Sequence, residues 1–198
     1  YYNRAVVWQE LGENSLALED LNQLLSWDKH DLEALLLRGQ SYHRLGHLGK
    51  AAGDFGTVVE VDPGEARGYL FRGKVLEDMD EFPRALEDYE MAMAKDENNV
   101  YARESLAWLL STCTLDHIRD GERAVELART ALEMGGKDDP YLQDTYAAAL
   151  AESGDYEMAV TVQEQAYEMI KQVGTDYEQS DFAFRLSLYQ QNIPYREE

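Results

Sequence analysis

Residues 35–63 read LLLRGQSYHRLGHLGKAAGDFGTVVEVDP, and the same arrangement recurs 34 positions upstream and 34 downstream. Moved back, the stretch falls on 1–29; moved forward, it falls on 69–97. Gly39 then lands on Ala5 and Gly73, Ala51 on Ala17 and Ala85, Phe55 on Leu21 and Tyr89, and Tyr42 on Trp8 and Leu76. A fixed period of this length, with small and aromatic residues at constant offsets, marks a stacked helix-turn-helix array. Each unit is expected to hold two antiparallel helices, A then B, whose apolar residues at three- and four-residue spacing face one another.

Upstream of the quoted stretch, a helix is expected over 1–11, a turn at 12–14 and a second helix over 15–27, with Ser15 as its cap. The central unit turns at 46–49 and closes at Asp62-Pro63-Gly64, because Pro63 cannot continue a helix without losing a hydrogen bond. In the third unit Pro83 lies in the first turn of B, where its missing N–H is harmless, and Asp80 is placed to cap. Downstream the register breaks. Ala107 follows Gly73 by 34, but the B-helix alanine due at 119 is delayed to Ala124, so 114–120 is predicted as an exposed loop between helices over 99–113 and 121–134. A second slip at 135–140 resets the frame. Pro140 opens a helix to 153, Gly154-Asp155-Tyr156 repeats the turn, and a B helix carrying Ala159 and Ala166 runs to 173. A last amphipathic segment, 175–191, has Phe182, Leu186 and Tyr189 on one side and reads as the cap a solenoid end needs. The prediction is an all-α solenoid of about five helix pairs plus a capping helix. It forms one domain over 1–198, with units 1–31, 32–65, 66–99, 100–138 and 139–173.

Thirty-nine acidic against 18 basic residues give a formal charge of -21, which repels phosphate backbones and anionic lipid. Neither nucleic acid nor a membrane surface is expected as a partner. The 44% apolar content, with three Trp, 13 Tyr and five Phe, sets the chain apart from disordered sequences of similar charge. Cys113, in the apolar run LAWLLSTC, is the single cysteine, so an internal disulfide is ruled out. That fits a reducing compartment and favours a cytoplasmic location. There is no apolar run of membrane-spanning length and no signal peptide. The sequence begins at Tyr1, inside the first expected helix, and reads as a fragment or processed form.

On these residues the chain resembles tetratricopeptide repeat (TPR) proteins over essentially its whole length. Their pattern of a small residue on A, an aromatic three on, Ala on B, a large apolar residue and a closing Pro is met by Gly39, Tyr42, Ala51, Phe55 and Pro63. The third unit supplies Gly73, Ala85, Tyr89 and Ala92 but has Glu97 where the proline belongs. The fifth supplies Ala147, Gly154, Ala159 and Ala166, while Gln163 replaces the large apolar residue and weakens that unit. The C-terminal half, through LAWLLSTC, RAVELARTALE, YLQDTYAAALAESGDYEMAV and PYRE, resembles one bacterial kind of TPR ending, found alone or attached to other modules, protein kinases included. The resemblance implies a scaffold whose C-terminus lies near the natural one and leaves open what precedes Tyr1.

The resemblance also implies a right-handed α-α superhelix whose A helices line a concave groove. Partner contacts are then expected at Gln40, Arg44, Arg67 and Lys74 in the earlier units and at Tyr101, Glu104, Trp108, Tyr141 and Asp144 in the later ones. Aromatic faces beside carboxylates suit a Lys- or Arg-bearing peptide. For Trp108 the competing reading is plain packing on the next helix. The carboxylate clamp of chaperone-binding TPR domains is not expected, since its positions fall on Tyr2, Val6, Leu37, Arg67 and Phe71, of which Arg67 alone has the right chemistry.

Arg4, Arg38 and Arg72 recur in phase with Asp20, Asp54 and Asp88 and are read as a structural ion-pair ladder rather than a ligand-binding row. His43 and His47 lack the H-E-x-x-H pattern of a zinc helix and are read as solvated. No Gly-rich phosphate loop, G-x-S-x-G elbow or Cys/His cluster is present. The expected function is therefore non-catalytic, without cofactor or metal: a protein-protein interaction scaffold, a monomer or weak self-associator, binding a peptide or helix with basic and apolar groups. The alternatives are a regulatory or targeting appendage of a larger enzyme such as a kinase, or a TPR protein that assembles end to end.

Overall fold

The computed structural model describes residues 1–197 and, among them, eleven α-helices and no strand. They divide into two compact units, Tyr1–Glu97 and the residues from Asn98 onward.

In the first unit α1 (Tyr2–Glu10) pairs with α2 (Asn14–Trp27), α3 (Leu32–Arg44) with α4 (Leu48–Val61), and α5 (Ala66–Glu77) with α6 (Phe82–Lys95). Helices α2 and α4 also pack on the A helix that follows them. The small residues permit this closeness: Ala5, Ala17, Ala51 and Ala85 have 0% exposure, and Gly39 and Gly73 are buried. A Cβ on Gly39 would lie 2.5 Å from the Phe55 ring, and one on Gly73 2.7 Å from the Tyr89 ring. The first pair, with Leu21 at the ring position, accommodates Ala5 instead. Small residue and large residue thus vary together across the interface.

Each A helix of this unit ends in one left-handed residue. Gly12, Gly46 and Asp80 have φ of 78°, 73° and 59°, and the next N–H reaches back at 2.8 Å, from Glu13 to Trp8, His47 to Tyr42 and Glu81 to Leu76. This Schellman-type closure satisfies carbonyls that the helix end would leave orphaned. Two expected caps are corrected by it. Asp80 is the turn residue and Glu81 holds the N-cap position of α6, while Ser15 lies inside α2, whose N-cap is Glu13.

The arginine ladder is present, with Arg4–Asp20 at 2.6 Å, Arg38–Asp54 at 2.7 Å and Arg72–Asp88 at 2.7 Å. Each is a two-nitrogen, two-oxygen pair joining A to B. Leu106 and Tyr146 occupy the arginine register of the second unit, and the ladder stops there.

In the second unit α7 (Val100–Thr112) packs on α8 (Gly121–Gly135) and on α9 (Pro140–Glu152), α9 on α10 (Tyr156–Val173), and α10 on α11 (Asp176–Tyr189). Ala107, Ala124, Ala147 and Ala159 again have 0% exposure. A Cβ at Gly121 would stand 2.7 Å from the backbone nitrogen of Ser153, so the start of α8 bears directly on the end of α9. The inserted loop departs from expectation. Its tip, Thr114–His117, is exposed, but Ile118 is buried, Arg119 pairs with Glu152 at 2.9 Å, and the Asp120 N–H donates to the Leu110 carbonyl at 3.0 Å. An apolar side chain and an ion pair tie down a segment that composition alone marks as free.

Asp31, Asn99, Asp120, Asp139, Asp155 and Thr175 accept backbone N–H bonds at the starts of α3, α7, α8, α9, α10 and α11. Part of the acidity is therefore structural, placed where helix N-termini carry partial positive charge. After α11 the left-handed turn recurs, with Asn192 at φ 58° and the Ile193 N–H donating to Leu188 at 3.0 Å. Residues 193–197 then run on without helix.

Candidate functional site

The A helices carry the candidate residues in columns that repeat down the chain. In the first unit Arg44 is exposed and Gln40 and Lys74 are half-buried. Among the described residues these three side chains make no hydrogen bond or ion pair. Arg67 differs. Its guanidinium pairs with Glu65 at 2.7 Å, at the start of its own helix, and with Glu33 at 2.5 Å one repeat earlier. The hydrogen bonds it donates to Glu65 and then to Glu33 hold it above the usual arginine range. It is a clamp between α3 and α5. The His43 imidazole is likewise engaged, against the Asp78 carboxylate.

In the second unit Tyr101, at 67% exposure, stands in solvent. Glu104 is half-buried. The Tyr141 hydroxyl donates to Glu178 of α11 at 2.5 Å. That bond, with some desolvation, pushes the Tyr141 phenol up to about 12. The same bond, aided by the backbone and hydroxyl of Thr175, holds Glu178 down at about 2.

Asp144 is a correction. At 5% exposure it belongs to the interior. Arg185 reaches it from α11 through Nε and Nη2, both at 2.8 Å, and the Gln163 amide of α10 donates to it at 2.6 Å. Burial pushes the Asp144 carboxyl up, while the charge and hydrogen bonds of Arg185 and the Gln163 amide pull it back. Burial also works against the charge of Arg185, and Asp144 beside it more than restores that charge. The matching column in earlier repeats holds Tyr2, Leu36, Leu70 and Glu104, of which the two leucines are buried, at 3% and 4% exposure. Those two leucines are the available signal: the column can face the core, and Asp144 there needs the polar Gln163 as partner.

Trp108 packs, as the competing reading has it, but on groups that the repeat does not foretell. The Arg185 guanidinium lies 5.5 Å from its ring and the Tyr195 ring 5.9 Å from it. Tyr195 also meets Phe184 at 6.5 Å and the Arg185 guanidinium at 5.4 Å. The Trp108 indole N–H donates to the Glu197 carboxylate. Arg196 donates to the Ser111 carbonyl at 3.2 Å and approaches Glu152 to 2.6 Å, as an ion pair without the alignment of a hydrogen bond. The Glu197 N–H donates to the Thr112 carbonyl at 3.0 Å. The face made by α7, α9 and α11 thus holds the chain's own extended end. Arg185, Tyr195 and Arg196 lie outside the 34-residue period, and periodicity holds no signal for them.

Among the described residues no group of His, Cys, Asp and Glu is arranged to hold a metal, and no helix is long and apolar enough to cross a membrane. No family model matches the sequence. Tetratricopeptide repeat protein 14 of Mus musculus is 35% identical over 104 residues, which is 49% of this chain and 14% of that protein's length. The solved structure of TTC0263, a thermophilic TPR protein of Thermus thermophilus, is similar with a TM-score of 0.70 at 17% identity, covering 96% of each chain. YrrB, described as a TPR protein with an unusual peptide-binding site, is similar with a TM-score of 0.66 at 17% identity, covering 93% of this chain and 90% of its own. The structural likeness is one of fold.

Proposed function

We propose, from the premise that this chain is a tetratricopeptide repeat protein, that it is a non-catalytic scaffold holding a partner's peptide or helix against its A helices. One observation carries the reading. Most polar side chains of the A helices are engaged in ladder pairs, clamps and caps, yet Gln40, Arg44 and Lys74 in the first unit and Tyr101 in the second have no partner among the described residues. Unengaged polar and aromatic side chains on a rigid helical frame are what a binding surface presents. The peptide-binding site described for YrrB supports the reading by analogy of fold. The charge of -21 favours partners with basic as well as apolar groups.

Selection from a displayed peptide library tests this. Selected peptides are expected to be rich in Lys or Arg with aromatic or aliphatic neighbours, and their affinity to fall as salt rises. Tyr101→Ala or Gln40→Ala should weaken one class of them about tenfold, the effect of losing roughly 1.4 kcal/mol. Peptides that bind both variants and the parent equally, in chains still folded by circular dichroism, would locate binding elsewhere and defeat the reading.

A further inference from the structure

We propose that the face formed by α7, α9 and α11 binds extended peptides carrying an aromatic residue followed by arginine and an acidic residue, and that Tyr195-Arg196-Glu197 occupies it in cis until such a peptide displaces it. The inference rests on the scaffold reading and names the ligand of one part of it.

The end of α7 shows why this face wants a ligand. Its last carbonyls have no partner within the helix. Leu109 and Leu110 are satisfied by the N–H groups of Cys113 and Asp120. Ser111 and Thr112 are satisfied by the tail, through the Arg196 guanidinium and the Glu197 N–H. A helix C-terminus carries partial negative charge and favours a cation there, and Glu152 adds a full one. The rest of the site is an aromatic bed. Trp108 and Phe184 flank Tyr195, and Arg185, fixed by Asp144, lies against the tyrosine face. The indole N–H donates to the acid that follows. Each of the three tail side chains thus meets a group of complementary chemistry, in the manner of a bound peptide.

The tail's hold is that of a ligand rather than of a packed element. It forms no helix or strand, and Tyr195 and Arg196 remain half-exposed, as does Phe184 at 55%. Its tether to α11 is residues 190–192, so its effective concentration at the face is of millimolar order. A peptide in trans must compete with that.

The probe is a fluorescently labelled synthetic peptide of residues 192–198, NIPYREE, read by anisotropy against the full chain. With the site vacated by the double change Tyr195→Ala and Arg196→Ala, the peptide is expected to bind at least tenfold more tightly than to the parent. Peptide carrying Arg196→Ala, or vacated protein carrying Glu152→Gln, should bind at least tenfold more weakly than the matched pair. Saturating peptide should shift the Trp108 indole N–H resonance and leave those of Trp8 and Trp27 in place. Equal binding to parent and vacated protein, or no binding to a vacated protein that is folded by circular dichroism, overturns the proposal. If the double variant unfolds, the Arg196→Ala chain takes its place with the same expectation; unfolding of that chain too would make the tail a structural strap and overturn the proposal equally. Failure here with library peptides still sensitive to Tyr101 and Gln40 removes this inference alone, whereas loss of both removes the scaffold reading.

Discussion

At Gly39 the absence of a single carbon decides how close two helices come. Gly39→Ala would press a Cβ to 2.5 Å of the Phe55 ring, and such overpacking costs about 1–3 kcal/mol. The first repeat supplies its own remedy, Ala5 opposite Leu21. Gly39→Ala combined with Phe55→Leu should therefore recover much of the loss, read as the urea midpoint of the double variant against each single one. A double variant no better than Gly39→Ala would mean that the ring is not what limits the approach. The ladder gives a graded test at the same scale. The Arg38 side chain is 22% exposed and Arg4 60%. Asp54→Ala, which strands a largely enclosed guanidinium, should cost about 1–3 kcal/mol, between the values for surface and buried pairs. Asp20→Ala should move the midpoint less. Asp144→Ala leaves Arg185 buried without its counter-ion and should cost about 3–5 kcal/mol. Adding Arg185→Met should restore part of it, since an apolar replacement of both charges removes the stranded one.

Among the elements, α11 shows most clearly what acidity does here. It is fastened to α10 by apolar packing and to α9 by the Asp144–Arg185 pair and the Tyr141–Glu178 bond. The last has a pH window at both ends. Glu178 is depressed from 4.5 to about 2 in the folded chain, so its contribution is complete above 4.5 and is lost as pH falls toward 2. Tyr141 is raised from 10.0 to about 12, so its contribution is complete below 10 and is lost as pH rises toward 12. Ultraviolet titration of phenolate should show one tyrosine ionising near the upper limit that is missing in Tyr141→Phe. Amide exchange at the start of α11 should quicken below pH 4 in the parent more than in that variant. An ordinary phenol titration for Tyr141 would mean the bond does not form.

Legibility in the sequence follows the period. The small-residue seam and the ladder are readable because packing repeats with the chain, so Arg38 and Asp54 inherit their roles from three copies of one interface. Asp144 departs from the groove register, and of its column the buried leucines at 36 and 70 point inward while Tyr2 is exposed and Glu104 half-buried, so the period gives a divided signal there. Ile118 and Arg119 escape a reading by period because an insertion has no copy to be compared with. The tail is unreadable as a ligand for the same reason: contacts such as Trp108 with Tyr195 join residues far apart in sequence and occur once.

For the whole molecule, the charge of -21 and the many carboxylates at helix starts set the surface field. Moderate salt should raise the denaturation midpoint by screening self-repulsion, even as it weakens basic ligands. A midpoint that falls with salt would mean the local pairs outweigh the global repulsion. Glu152 carries a consequence of another kind. Its Oε1 holds Arg119 of the inserted loop and its Oε2 meets Arg196 of the tail. Two segments that share one carboxylate are thermodynamically linked, and the linkage is symmetric. Whatever free energy Arg119→Ala adds to or takes from tail docking, Arg196→Ala must add to or take from loop docking in equal measure, as a double-mutant cycle on exchange of the Asp120 and Glu197 amides would report. A loop inserted where the repeat register breaks thereby becomes a dial on how tightly the adjoining face is kept closed.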